Sequence, residues 1–190
     1  MLIAVAGSIG AGKSTVARAI AETFDIPLHS IDDDKLAIGA TTASFAEWVA
    51  SGTPFPDSFR AEVFRRTLQC LESMRAVSPH VIVEETFHRK SIRDPFFDRG
   101  GSLLGGFSLI EVVVDESKVM ERLARRAEIE TGHMAGVDMY RSFQAVSDPQ
   151  DRVDHVFRND GDFERELDAC CRYILDKIAP AHGSAVSGTP

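Results

Sequence analysis

The stretch Gly7-Ser8-Ile9-Gly10-Ala11-Gly12-Lys13-Ser14 fits the pattern G-x-x-x-x-G-K-[ST] and sits between an apolar run and a helical one. Leu2, Ile3, Ala4, Val5 and Ala6 read as a short buried strand, and Ser14 to Phe24 carries apolar residues at helical intervals. The glycines then occupy the turn. With no Cβ in the way, the backbone curls around an anion, and successive amides face phosphate oxygens with a helix N-terminus behind them. The expected phosphate-binding set runs through Gly7, Ser8, Ile9, Gly10, Ala11, Gly12, Lys13, Ser14 and Thr15. Lys13 would reach the β- and γ-phosphates of a nucleoside triphosphate, and the Ser14 hydroxyl would join the shell of a magnesium ion.

The chain of 190 residues is long enough for one domain with a substantial core. Its net charge of -8 sets a global field that repels nucleic acid and anionic membranes, so neither is expected as a partner. Arg nevertheless outnumbers Lys, and Arg is the better fork for phosphate oxygens, which leaves room for local anion sites. Cys70, Cys170 and Cys171 have neither disulfide-framework nor metal-ligand spacing and read as reduced packing residues. With a start that opens directly into a strand and no apolar run of membrane-spanning length, a cytoplasmic protein is expected.

Strand and helix patterns alternate, which points to an α/β three-layer fold: a parallel five-stranded sheet with helices on both faces. After the first strand, strands are expected at Leu28 to Ile31, Val81 to Val83, Leu109 to Val114 and Val153 to Phe157. Further helices are expected at Ser58 to Ala76, Glu116 to Glu130 and Phe163 to Ile178. In the first of these, Phe59, Val63, Leu68, Leu71 and Met74 form the inward stripe, with Arg60, Arg65, Arg66 and Arg75 largely off it. Residues 1–179 form the domain, and 180–190, rich in Gly, Ser, Pro and Ala, read as a disordered tail.

In an open α/β sheet the ligand lies beyond the carboxyl ends of the strands. If Ile31-Asp32-Asp33-Asp34 stays extended, Asp32 and Asp34 face one way and Asp33 the other. Two carboxylates beside a triphosphate need either a metal ion or a proton taken from an attacking hydroxyl, the two demands of phosphoryl transfer to an alcohol. The competing reading is a helix cap. Val81-Ile82-Val83 closes on Glu84 and Glu85; Glu84 is the candidate magnesium ligand, with Glu85 as the alternative. Thr86 to Arg93 follows as a loop and helix start in which Arg89 or Arg93 could hold an anionic substrate.

Arg122, Arg125 and Arg126, at i, i+3 and i+4, share one side of a helix and could converge on a phosphate. Gly132 and Gly136 flank a segment suited to a mobile lid over about residues 122–141, which would keep water from the triphosphate. Residues 39–78 make the expected acceptor-binding region, where Phe45, Trp48, Phe55 and Phe59 either line a pocket or simply pack in the core.

Taken together, these motifs resemble the P-loop small-molecule kinases of the nucleoside monophosphate kinase-like group, and the resemblance covers most of the chain. Ile31 to Ala37 looks like the Asp-x-Asp segment of dephospho-coenzyme A kinases and shikimate kinases, which implies Asp34 at the acceptor hydroxyl and Asp32 near magnesium. Val81 to Phe87 looks like the third strand of zeta-toxin-like and adenylylsulfate-kinase-like proteins, with Glu84 in place of their usual Asp. Arg122 to Arg126 resembles the start of the lid, and Asp154 to Gly161 resembles the adenine-contacting loop, which implies Asn159 and Gly161 at the base. The Pro-Leu-Leu segment of dephospho-coenzyme A kinases and the Gly-Gly acceptor loop of shikimate kinases are missing. The resemblance implies a monomeric kinase using ATP and Mg2+ on a small-molecule acceptor, with Lys13, Asp34, Arg122 and Arg126 catalytic and Ser14, Asp32 and Glu84 at the metal. A zeta-toxin-type nucleotide-sugar kinase and a regulatory P-loop NTPase without a small acceptor are the alternatives; the guanine-reading Asn-Lys-x-Asp segment of small GTPases does not occur.

Overall fold

A strand covered by helices on both faces must be apolar at every position, and Leu2 to Ala6 are each fully buried in the computed structural model, which describes residues 1–129 and 136–179. The elements run β1 (Leu2–Gly7), α1 (Lys13–Phe24), β2 (Leu28–Ser30), α2 (Ile31–Gly39), α3 (Phe45–Ser51), α4 (Asp57–Met74) and β3 (Val81–Glu84). They continue α5 (Lys90–Leu104), β4 (Phe107–Val113), α6 (Glu116–Ile129), α7 (Val137–Gln144), β5 (His155–Arg158) and α8 (Phe163–Ile178). Five parallel strands lie in the order β2-β3-β1-β4-β5, the α/β sheet expected from the alternating pattern.

Side chains of β1 alternate between two cores. Leu2, Ala4 and Ala6 pack with Val63, Phe64 and Leu71 of α4 and Phe96 and Phe97 of α5. Ile3 and Val5 pack with Val16 and Ile20 of α1 and Ile174 of α8 on the opposite face. Each fully buried Val, Leu, Ile or Phe side chain contributes roughly 1.5–3 kcal/mol of burial energy, so the two layers hold the sheet from both sides. A third cluster joins α6 to α7 through Val119, Leu123 and Tyr140, and Ile9 of the phosphate loop packs against it.

Two local readings change. Ile31 does not extend β2: the Ser30 hydroxyl accepts from the Asp33 amide at 3.3 Å and caps α2, whose first turn holds Asp32, Asp33 and Asp34. Carboxylates favour a helix start, so the capping reading prevails and the assumed extended alternation of these acids is corrected. The second is α5, of which only a helix start near Arg93 was expected. Pro95, Gly100 and Gly101 weaken its helical signal. Its small residues have a packing reason: a Cβ on Gly100 would come within 2.5 Å of Leu2 Cδ2, so the helix lies tight on β1. Residues 130–135, within the expected lid and including Gly132, and the expected tail at 180–190 lie outside the described residues.

Gly7 has φ +148°, and a Cβ there would meet the Val112 backbone oxygen at 2.5 Å. Neither partner can move without shifting a central strand. Gly7→Ala is expected to cost about 1–3 kcal/mol in chemical denaturation, as overpacking of a well-filled site does. Gly161→Ala, which meets nothing within 4 Å, should stay within about 0.5 kcal/mol of the parent.

Candidate functional site

Between β1 and α1 the backbone turns through Gly10 and Gly12 at φ +79° and +91°. No side chain caps α1; the Thr15 amide donates to the Gly12 carbonyl at 3.1 Å, and the Lys13 and Ser14 amides before it stand at a helix start, which favours an anion. Lys13 Nζ folds back to the Ser8 carbonyl at 3.1 Å. Burial lowers the Lys13 pKa, opposed by the negative charges of Glu84 and Glu85. Ser14 Oγ donates to Glu84 Oε1 at 3.1 Å, so α1 and β3 bring the two oxygen groups together. Burial raises the Glu84 pKa, and Lys13 opposes the rise.

Glu85, the next residue, has other partners and is 6% exposed. It accepts from the Thr86 amide at 2.8 Å and the Thr86 hydroxyl at 2.7 Å, and is ion-paired to Lys35 of α2. Burial alone would raise its pKa; Lys35 and then Arg60 hold it well below the carboxylate range. Lys35 also reaches Asp32 Oδ1 at 2.7 Å.

A cavity of about 700 Å³ opens over these groups. Gly10 and Gly12 to Thr15 form one side with Glu84 and Glu85, and Asp32, Lys35 and Arg60 form another. Phe45, Val49 and Phe55 add an apolar wall, while Arg126, Met139 and Phe143 approach from α6 and α7. The aromatic residues thus do both things weighed for them: Phe59 is core, and Phe45 and Phe55, stacked at 5.5 Å, also face the cavity.

Asp34 lies elsewhere. It is 3% exposed, does not line the cavity, and has its carboxylate taken by Arg66 Nε at 3.0 Å, Thr67 Oγ1 at 2.7 Å and His29 Nε2 at 2.7 Å. On helical α2 it points to α4 while Asp32 points to the cavity, so the two acids expected side by side are separated. The cause is the cap at Ser30, which replaces an alternation of two residues by a helical turn.

Of the arginines expected to converge, Arg122 donates through Nη2 to the Asn159 carbonyl at 2.6 Å and through Nη1 to the Ala11 carbonyl at 3.3 Å. Asn159 Nδ2 donates to the Ala11 carbonyl at 2.7 Å. Both residues therefore clasp the phosphate loop from behind. Arg126 lines the cavity, Arg125 is exposed, and Gly161 sits exposed in the turn before α8. Arg93 is spent: it is 1% exposed and donates to the carbonyls of Phe87, Asp148 and Pro149. Arg89 pairs with Asp57 at 3.4 Å.

Arg60 and Lys35 are the site residues that the sequence reading passed over. Arg60 is 3% exposed although it falls off the Phe59–Val63 stripe. A second buried row, Arg60, Phe64, Thr67 and Leu71, runs down α4 at spacings of four, three and four, a signal that was available. The Arg60 Nε has no partner, and burial lowers its pKa.

The order of the parallel strands and the glycine loop after β1 define an α/β fold with a phosphate-binding loop. Solved structures share it. A gluconokinase from Sinorhizobium meliloti 1021 superposes with a TM-score of 0.68 at 21% identity, over 92% of this chain and 93% of that one. The Mycobacterium tuberculosis APS kinase CysC, in complex with AMPPNP and APS, gives 0.63 at 14% identity over 91% and 96%. Chaetomium thermophilum Kti12, in complex with ADP-AlF3, gives 0.63 at 16% identity over 95% and 100%. No protein-family model and no curated protein sequence matches the chain.

Because Asp34 bonds both to α4 and to His29, Asp34→Ala strands several donors at once. It should destabilise the fold by about 1–3 kcal/mol in denaturant titration while leaving ATP affinity unchanged by calorimetry. His88, 3% exposed, supplies a pH prediction. Burial and then Arg60 lower its pKa from the usual 6.5 to about 3. Between those values the unfolded chain binds a proton that the folded chain refuses, so this residue makes stability fall as pH drops through the window. The slope from one such group is at most about 1.4 kcal/mol per pH unit. Unfolding free energies of the parent measured from neutral pH to pH 4 should show a steeper loss than those of His88→Gln.

Proposed function

We propose that this chain is a kinase that transfers the γ-phosphoryl group of ATP to a hydroxyl of a small molecule bearing a negative charge. The observation that carries the reading is one cavity lined by Lys13, Ser14, Glu84, Asp32 and the buried Arg60, whose Nε has no hydrogen-bond partner. The solved neighbours described as gluconokinase and APS kinase share the fold and support the class of reaction.

The amides of the Gly7 to Ser14 loop hold the triphosphate, and Lys13 spreads charge from the γ-phosphoryl as it moves. Ser14 Oγ and Glu84 Oε1, hard oxygen donors 3.1 Å apart, fit a magnesium ion, whose bound charge would neutralise phosphate oxygens. Asp32, facing the same cavity, takes the proton of the acceptor hydroxyl. The acceptor oxygen bonds to the γ-phosphorus as the bond from that phosphorus to the bridging β-phosphate oxygen breaks, and ADP leaves. With Asp34 saturated on the far side of α2, the proton-accepting role passes to Asp32, and Asp32 leaves the metal set expected from sequence. Arg126 enters from α6 at the outer side of the cavity, while Arg122 acts indirectly by bracing the loop carbonyls.

Arg60 decides the charge of the acceptor. Glu85 and Asp57 lie near enough to support its charge, yet its Nε has no hydrogen-bond partner, so a carboxylate, phosphate or sulfate on the acceptor would dock on this guanidinium. The apolar wall of Phe45, Val49 and Phe55 covers the rest of that molecule.

A panel of hydroxy acids and phosphorylated or sulfated alcohols, assayed by ADP release, tests this reading. An acceptor should raise turnover well above the rate with ATP alone; uniformly acceptor-independent hydrolysis would favour a regulatory NTPase. Lys13→Ala should abolish transfer, and Asp32→Asn should lower kcat by roughly 10²–10⁴-fold with ATP binding retained. Arg60→Ala should instead raise KM for the anionic acceptor.

A further inference from the structure

The acceptor side of the large cavity is poor in groups that could bond a hydroxyl. Leu36 of α2, Phe45 and Val49 of α3 and Phe55 line it, and among the described residues of α2, α3 and the segment leading to α4 the neutral polar side chain there is Thr53. Leu36 is 62% exposed, and Phe45, Val49 and Phe55 are half-buried, so each keeps surface for a ligand.

This wall is held in place. Phe45 and Phe55 stack at 5.5 Å with 9° between their planes, and Phe55 lies 5.0 Å from Phe59 of the core. Trp48 packs edge-on against Phe55 and Phe59 at 6.4 and 5.4 Å. Gly39, closing α2, admits the Phe45 ring from the other side: a Cβ there would come within 2.6 Å of it.

The polar groups beside the wall are engaged with one another. Lys35 is ion-paired to both Asp32 and Glu85, and the Thr53 hydroxyl is bonded to Ser51 Oγ at 2.7 Å. A second cavity of about 390 Å³ adjoins the first, since Ile9, Thr86 and Phe143 line both. Glu111 and Asp148 in its lining disfavour an anionic molecule, which leaves the apolar wall to receive the acceptor's body.

A polyol on this wall would press hydroxyls against rings and methyl groups that cannot replace their bonds to water. We infer that the acceptor is an anionic alcohol with a hydrocarbon body between its charge and its reacting hydroxyl, and not a polyol. The inference rests on the proposed kinase reading, which puts the hydroxyl at Asp32 and the anion at Arg60, and it names what lies between them.

Equilibrium binding without turnover tests it, read by the fluorescence of Trp48, the chain's one tryptophan, which packs behind the wall. The full chain is titrated with trans-4-(hydroxymethyl)cyclohexanecarboxylate and with gluconate, alone and with AMPPNP and Mg2+, and calorimetry repeats both titrations. Each probe carries a carboxylate and a primary hydroxyl; they differ in the body. The cyclohexane acid is expected to bind at least about tenfold more tightly, within the range over which an apolar pocket discriminates. Leu36→Asn, at an exposed position that spares the core, should cut that preference several-fold by weakening the cyclohexane acid and not gluconate. Equal or tighter binding of gluconate, binding of neither acid, or a Leu36→Asn chain that keeps the whole preference would overturn the inference. ADP release scores the kinase reading separately. A cyclohexane acid that binds but takes no phosphate, in a chain that phosphorylates no other alcohol, refutes that reading alone; phosphorylation of gluconate in preference to the cyclohexane acid refutes this inference alone.

Discussion

A carboxylate buried at the end of a strand must be met by positive charge, and Glu85 is such a carboxylate. It draws Lys35 from α2 and Arg60 from α4 to the carboxyl edge of β3, where Lys13 of α1 already stands. Elements far apart in sequence are thereby pinned around one space. Glu84 and Glu85 line the same cavity and divide the work by their partners: one meets Ser14 of the phosphate loop, the other Lys35 of α2. Without Glu85, Lys35 and Arg60 would each lose the largest opposing charge acting on them.

The two cavities that meet at Ile9, Thr86 and Phe143 have opposite chemistry. Lysine, arginine and free helix amides make the larger one a place for anions. The smaller one has the carboxylates Glu111 and Asp148 in its lining. Thr86 stands at the border and sets the hydrogen-bond roles on both sides, because its single hydroxyl proton goes to Glu85. That hydrogen-bond chain ties the buried ion pair to His88, which also feels the charges of Arg60 and Glu85.

Parts of this arrangement were legible because their cause is local. A glycine loop closing on Lys and Ser binds phosphate by its own backbone, and an unbroken apolar run can only be a doubly covered strand. The Phe163–Ile178 helix, too, has its cap in Asp162 and a clean amphipathic period. Other parts were masked. Asp32 and Asp34 read alike in one dimension, yet the Ser30 cap turns one to the cavity and the other into a closed cluster with Arg66, Thr67 and His29. Helix α5 hid behind Pro95 and its glycines because close packing on β1, not propensity, stabilises it.

The chain's order of residues thus determined a parallel sheet, a phosphate-binding turn and the stock of acids and arginines at the strand ends, since each depends on neighbours within a few positions. Only the tertiary structure decided which of them act together. Whether Arg60, Arg93 and Arg122 face a cavity, a set of carbonyls or the back of a loop is set by helices that meet across long stretches of chain. Charge and spacing alone do not distinguish an arginine waiting for a ligand from one already satisfied by the backbone.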